Sequence, residues 1–302
     1  MTREVELVEV GPRDGLQNES ALVSTADKVA LIRHCVAAGV RRIEVASFVN
    51  PRKVPQMADA EAVVEELGVI AGVTRIGLVL NLRGAERALA CGIDQLGAVA
   101  VASDSFGIRN QGQTSAQSVE EAARIVATAR AAGRSAQVTI ATAFGCPFEG
   151  AVDPAHVVAM ARALAQSDPV EIALADTIGV AVPAEVTALV EAVRAAVSPL
   201  PVRVHFHDTR NTGLANVWAA VEAGAATVDA SLGGLGGCPF APGAAGNVGT
   251  EDVAYLLARS GIGIGLDLAK LIAASQWLSG VMGRALPASV SRAGPFPSGE
   301  QG

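Results

Sequence analysis

Val5-Glu6-Leu7-Val8-Glu9-Val10 runs directly into Gly11-Pro12-Arg13-Asp14-Gly15. The first six residues are an apolar, β-branched run of strand length. The turn after them decides between two parallel α/β folds. An open nucleotide-binding sheet would carry G-x-G-x-x-G at this point; this turn carries an arginine and an aspartate instead. Charged groups directly after a strand are what a (β/α)8 barrel places at its catalytic mouth.

Working outward, comparable runs recur at residues 42–47, 75–81, 95–102, 136–143, 170–176, 202–207 and 226–232. Several are continuously apolar, as strands covered on both faces are. Helix signals lie between them: Ser24-Thr25-Ala26-Asp27 closed by Gly39, Ser118-Val119-Glu120-Glu121 closed by Gly133, then Asp153-Pro154, Pro183-Ala184-Glu185 and Thr250-Glu251-Asp252. Eight such units at a spacing of about 32 residues predict an α/β fold, a (β/α)8 TIM barrel, with an open doubly wound sheet as runner-up. The barrel is expected over residues 1–260. Residues 261–302 are expected to add a short C-terminal helical extension (266–280) and a Pro-, Gly- and Ser-rich tail, mobile after Arg284.

The 302 residues are 50% hydrophobic and 18% charged, enough for a full-sized core. A net charge of −7 without a basic block argues against nucleic acid. No apolar run reaches the roughly 18–20 residues of a membrane span. Met1-Thr2-Arg3-Glu4 leads at once into a strand, so no targeting peptide is expected. Cys35, Cys91, Cys146 and Cys238 are scattered without a CxxC, which predicts free thiols and a reducing compartment. These observations describe a cytoplasmic enzyme.

The unusual polar residues gather at predicted strand ends. Arg13 and Asp14 follow strand 1, Glu44 interrupts strand 2, Asn81 ends strand 3, Asp176 ends strand 6 and Ser231 ends strand 8. His205-Phe206-His207 is the sharpest signal. Residues i and i+2 of a strand share a face roughly 7 Å apart, so both imidazoles point into the barrel and Phe206 points out. The pair reads either as two hydrogen-bonded interior histidines or as two ligands of one metal; Asp14 and Asn247 as further oxygen donors favour the metal. A mixed N/O set without thiolate suits Mg²⁺ or Mn²⁺, with Co²⁺ and Zn²⁺ as alternatives. Arg13 reads as an ion-pair partner of Glu44 or Asp176, as an oxyanion donor, or as both. The glycine-rich stretch Gly233 to Asn247 is either a flexible turn or a lid carrying Cys238.

The motifs together resemble the 3-hydroxy-3-methylglutaryl-CoA lyase family, within the metal-dependent aldol and Claisen barrels. The resemblance rests on Val8-Glu9-Val10-Gly11-Pro12-Arg13-Asp14-Gly15-Leu16-Gln17-Asn18-Glu19, Ile43-Glu44-Val45-Ala46-Ser47-Phe48-Val49, Val54-Pro55-Gln56-Met57-Ala58-Asp59, Asp176-Thr177-Ile178-Gly179, His205-Phe206-His207-Asp208-Thr209 and the Gly233 to Asn247 loop with Thr250-Glu251-Asp252. It implies cleavage of 3-hydroxy-3-methylglutaryl-CoA (HMG-CoA), or a close 3-hydroxyacyl-CoA, to acetyl-CoA and a keto acid. It also implies a divalent cation, Mg²⁺ or Mn²⁺, on Asp14, His205, His207 and Asn247. Arg13 would stabilise the enolate, His205 and Cys238 would move protons, and Glu44 and Asp176 would orient Arg13 and the metal shell. Arg13, Gln17, Ser47, Asn81 and Thr177 would seat the acyl-CoA substrate, and family precedent suggests a homodimer. Two positions depart from the family pattern: Ser20 stands where lysine is common and Ala173 where serine is common. An acetyl-CoA condensing synthase of the isopropylmalate or citramalate type is the alternative, and a barrel that binds metal or CoA esters without turnover is a third reading.

Overall fold

The structure is a computed structural model and describes residues 3–237 and 246–297. Cys238, predicted on the glycine loop, lies outside the described residues. Parallel strands require crossover connections, and here helices supply them. The strands are β1 (Glu6–Glu9), β2 (Arg42–Ser47), β3 (Thr74–Val79), β4 (Gln95–Val101), β5 (Ser135–Ala141), β6 (Ile172–Asp176), β7 (Val202–Phe206) and β8 (Thr227–Ala230). The helices are α1 (Thr25–Ala37), α2 (Ala60–Leu67), α3 (Leu82–Ala90), α4 (Asp104–Gln111), α5 (Ser115–Ala131), α6 (Pro154–Ala165), α7 (Pro183–Val197), α8 (Gly213–Glu222), α9 (Thr250–Arg259), α10 (Leu268–Met282) and α11 (Val290–Ala293). All neighbouring strands pair in parallel and the sheet closes through β1 and β8, with Glu6 opposite Thr227 and Glu9 opposite Ala230. The chain is a TIM barrel, as predicted.

Local chemistry explains most boundaries. Ser24 caps α1 by accepting from the Asp27 N–H, and Pro154 and Pro183 occupy first-turn positions of α6 and α7. α5 starts three residues before the predicted Ser118, because Thr114 and Gln117 form a reciprocal capping box. Strand alternation then sorts the interior. Val204, Phe206, Ile43 and Val45 belong to the large apolar layer between strands and helices, while Val8, Val10 and Ile76 form a separate small cluster. Phe206 meets Phe144 at 5.8 Å between ring centroids, on the outward side that its alternation predicts.

α10 packs against α1 and α9, and α11 packs against α9 and α10. Leu286 and Ala288 are buried, the Ala288 N–H donates to the Gly233 carbonyl at 3.0 Å, and Asp252 accepts from the N–H groups of Ser289 and Val290. The Pro/Gly/Ser composition hid two apolar anchors and a backbone partner. No described helix is long and apolar enough to cross a membrane.

Candidate active site

The turn after β1 is a single π-helical turn over Gly11–Gly15. The N–H groups of Arg13, Asp14 and Gly15 all converge on the Val10 carbonyl, at 3.2, 2.7 and 3.1 Å. Proline at the start loses no helical hydrogen bond there. The turn delivers adjacent charged side chains, Arg13 and Asp14, to the barrel mouth. Asp14 Oδ1 accepts from Arg13 Nη1 at 2.5 Å.

β7 supplies the imidazoles. His205 lies on the inward face of the strand, and His207 follows its end, where it bridges to Asn247. His205 Nε2 is 3.8 Å and His207 Nε2 is 4.0 Å from Asp14 Oδ2. One ligand atom from each of the three residues fits within a mutual separation of 4.8 Å. Asn247 joins them: its Nδ2 donates to Asp14 Oδ2 at 2.8 Å and to the Leu235 carbonyl at 3.0 Å, while its Oδ1 is buried without a partner. Gly236, at φ +112°, makes room for that amide, since a Cβ there would stand 2.5 Å from Asn247 Nδ2.

Beneath this cluster lie residues that the motif reading did not assign. Asp229 Oδ2 lies 3.1 Å from His205 Nδ1, which leaves Nε2 directed at Asp14. Its Oδ1 accepts from Arg203 Nε at 2.5 Å. Glu44 Oε2 accepts from Arg13 Nε at 2.7 Å and also contacts Arg13 Nη2; Glu44 Oε1 accepts from Arg203 Nη2 at 3.1 Å. Both missed residues had a signal. Asp229 interrupts an apolar strand, and Arg203 sits two residues before His205, on the same face.

Two guanidiniums, Arg13 and Arg203, thus face three carboxylates, the half-buried Asp14 and the buried Glu44 and Asp229. One negative charge is left over at the mouth. Burial alone would raise the Asp14 carboxyl, but Arg13 and then the histidines hold it well below the ordinary carboxylate range. Burial depresses His207 to about 4, reinforced by His205, so it is a neutral donor near pH 7. His205 is desolvated too, but its hydrogen bond to Asp229 and the charge of Asp14 raise it overall. Neutral and anionic N/O donors around a negative excess, with an amide oxygen to spare, fit a hard or borderline divalent cation.

The remaining predicted residues divide. Glu44 bonds to Arg13. Asp176 does not bond to Arg13: its oxygens accept the N–H groups of Val180 and Ala181, both at 2.9 Å, closing the turn after β6. Ser47 Oγ and Gln17 Oε1 are buried without partners. Thr177 Oγ1 accepts from the Thr142 N–H at 2.8 Å. Asn81 is exposed and caps α3 through the Gly84 N–H at 2.9 Å, an N-cap role that the motif reading missed.

A family model described as HMGL-like matches residues 4–278. The chain belongs to the HMGL-like family. It is 45% identical over 301 residues to an (R)-citramalyl-CoA lyase of Chloroflexus aurantiacus, covering 96% of this chain and 95% of that protein. It is 41% identical to the 3-hydroxy-3-isohexenylglutaryl-CoA/hydroxy-methylglutaryl-CoA lyase of Pseudomonas aeruginosa, covering 94% and 95%. The crystal structure of an HMG-CoA lyase from Acinetobacter baumannii, in complex with coenzyme A and 3-methylmalate, superposes with a TM-score of 0.93 at 39% identity, covering 98% of this chain and 96% of that one. Like these relatives, this HMGL-like protein is a carbon–carbon lyase.

Proposed function

We propose that the chain is a divalent-cation-dependent lyase that splits (R)-citramalyl-CoA into acetyl-CoA and pyruvate. The observation that carries the reading is the convergence of Asp14, His205 and His207 within 4.8 Å, beside the guanidinium of Arg13. Asp14, His205, His207 and Asn247 would hold the cation, Mg²⁺ or Mn²⁺. Bound there, the cation would lower the pKa of a substrate alcohol.

The chain's own residues supply the rest. Three of the five N–H donors of Arg13 are committed to Glu44 and Asp14, which leaves two for an anionic oxygen. When the bond between the α-carbon and the carbinol carbon breaks, negative charge moves onto the thioester oxygen, and those donors meet it. The unpartnered Ser47 Oγ and Gln17 Oε1 are available to the acyl group. Asn81 and Thr177 each spend an acceptor on a backbone N–H and would meet the substrate through their remaining donors. Cys238 on the glycine loop would return a proton to the acetyl-CoA enolate. The substrate is an acyl-CoA, a class that the coenzyme A bound to the Acinetobacter neighbour also supports.

Citramalyl-CoA and HMG-CoA differ by one methylene between the carbinol carbon and the carboxylate. The identity to the Chloroflexus lyase favours the shorter acyl group. HMG-CoA, yielding acetoacetate, is the second reading, supported by the Pseudomonas relative. The test is a comparison of kcat/KM for both thioesters with Mn²⁺, following pyruvate and acetoacetate separately. One methylene is worth about 10–200-fold, so at least tenfold preference for (R)-citramalyl-CoA is expected. The reverse order assigns HMG-CoA, and no acetyl-CoA from either sinks the proposal.

A further inference from the structure

The polar residues under the site are wired through one side chain. Arg203 on β7 is wholly buried, one inward layer below His205. Its Nε donates to Asp229 Oδ1 at 2.5 Å, its Nη2 to Glu44 Oε1 at 3.1 Å and its Nη1 to Glu171 Oε1 at 3.5 Å. Two of these carboxylates spend their other oxygen upward: Glu44 Oε2 holds Arg13, and Asp229 Oδ2 holds His205. We infer that Arg203 is a positioning residue, which fixes the oxyanion donor Arg13 through Glu44 and the imidazole of His205 through Asp229.

The chemistry of the fork makes this a specific role. A planar guanidinium with five fixed donors can bridge two carboxylates at once; an ammonium, a point charge on a flexible stem, holds them less well. Without a cation between them, Glu44 and Asp229 are buried anions that turn toward whatever charge remains, carrying Arg13 and His205 with them. The neighbouring strand leaves space for so long a side chain. Ala173, small and fully buried, is the register partner of Arg203 on β6, and Ala175 is the partner of His205. Among the described residues, Arg203 makes no hydrogen bond or ion pair with Asp14 or His207, so its polar links to the reacting groups run through Glu44 and Asp229.

This inference rests on the lyase reading of the site, and the experiment separates the two. Arg203→Met, Arg203→Lys and the control Arg42→Gln are compared with the wild type for kcat and KM, and for Mn²⁺ affinity by electron paramagnetic resonance without substrate. Arg42 shares Glu171 with Arg203 at the opposite barrel mouth but has no hydrogen bond or ion pair with Glu44 or Asp229 among the described residues, so it tests the Glu171 branch alone. For Arg203→Met, kcat is expected to fall about 100-fold with KM changed less than about threefold, and Mn²⁺ binding to weaken about tenfold, the range seen when groups behind metal ligands are removed. Arg203→Lys should recover part of kcat, and Arg42→Gln should keep kcat and Mn²⁺ affinity within about threefold. A kcat for Arg203→Met within threefold of wild type overturns the inference, and so does an equal kcat loss in Arg42→Gln. If Arg203→Met does not fold, Arg203→Lys decides: a tenfold loss of kcat at constant KM supports positioning, and wild-type kcat refutes it. If the wild type releases no acetyl-CoA, the lyase reading fails, and the Mn²⁺ affinities of the three variants still decide the role of Arg203.

Discussion

The two mouths of the barrel carry similar charges and use them differently. At the N-terminal mouth, Arg42 donates to Glu6 at 2.8 Å, to Glu171 at 2.5 Å and to Gln95 at 2.9 Å, and Thr227 Oγ1 donates to the second oxygen of Glu171 at 3.2 Å. None of the buried polar atoms of these residues lacks a partner. At the C-terminal mouth, Asp14, His205, His207 and Asn247 approach one point, and Asn247 Oδ1 and His207 Nδ1 stay unpartnered. Burying a polar atom without a partner costs stability, and here two such atoms lie beside a cluster of ligand-type donors, where something else can bind. Charge alone does not mark a site in this barrel; unspent hydrogen-bonding capacity around a charge excess does.

The comparison breaks first at Asp14. Asp14→Asn removes the anion that both imidazoles face, and activity is expected to fall at least about a thousandfold together with Mn²⁺ affinity, measured by turnover and calorimetry. Wild-type Mn²⁺ binding in that variant would remove the carboxylate from the metal site. Arg13→Gln should stay folded and still bind Mn²⁺, but lose about 10²–10³ in kcat, because the donor for developing charge is gone. Normal turnover there would leave Arg13 as a structural ion-pair partner alone.

At the other mouth, Arg42→Gln should cost about 3 kcal/mol, the usual effect of breaking a buried pair, with kcat nearly unchanged. Chemical denaturation with parallel kinetics checks it; a large kcat loss would erase the distinction between the mouths. The smallest effect concerns Glu9, in the layer outside the barrel. Its carboxylate accepts the N–H groups of Gly11 and Leu232 and the hydroxyl of Thr250, yet burial pushes its pKa up to about 7 from 4.5. A group raised on folding binds its proton more tightly in the folded state. Its contribution is therefore full below about pH 4.5 and is lost as pH rises to about 7. Between pH 5 and 7.5 the wild-type Tm should drop by several degrees more than that of Glu9→Gln; parallel curves would refute the shift.

The strands and most helix starts were legible because their causes are local. Apolar runs buried on both faces, Ser24 before α1 and the prolines opening α6 and α7 act within a turn or a strand. Arg13, Asp14, His205 and His207 were legible for the same reason: a turn directly after a strand and an i, i+2 alternation both aim side chains into the barrel. The backbone partners of Asp176 were not legible, because its position at a strand end says nothing of whether its oxygens turn to the site or to backbone N–H groups. The packing of Leu286 and Ala288 was not legible, because a Pro-, Gly- and Ser-rich composition says nothing of where two apolar side chains land.

By itself the chain's order of residues determined a barrel with an Arg-Asp pair and two imidazoles at one end, since alternation and turn chemistry need no distant partner. Only the closed tertiary structure decided that Arg203 meets Glu44, 159 residues away in the chain, and that Asp229 rather than Asp176 stands behind His205. Those pairings depend on strand register and on closure through β1 and β8, which bring side chains from different strands to a common level. No local pattern encodes the height at which two distant strands meet.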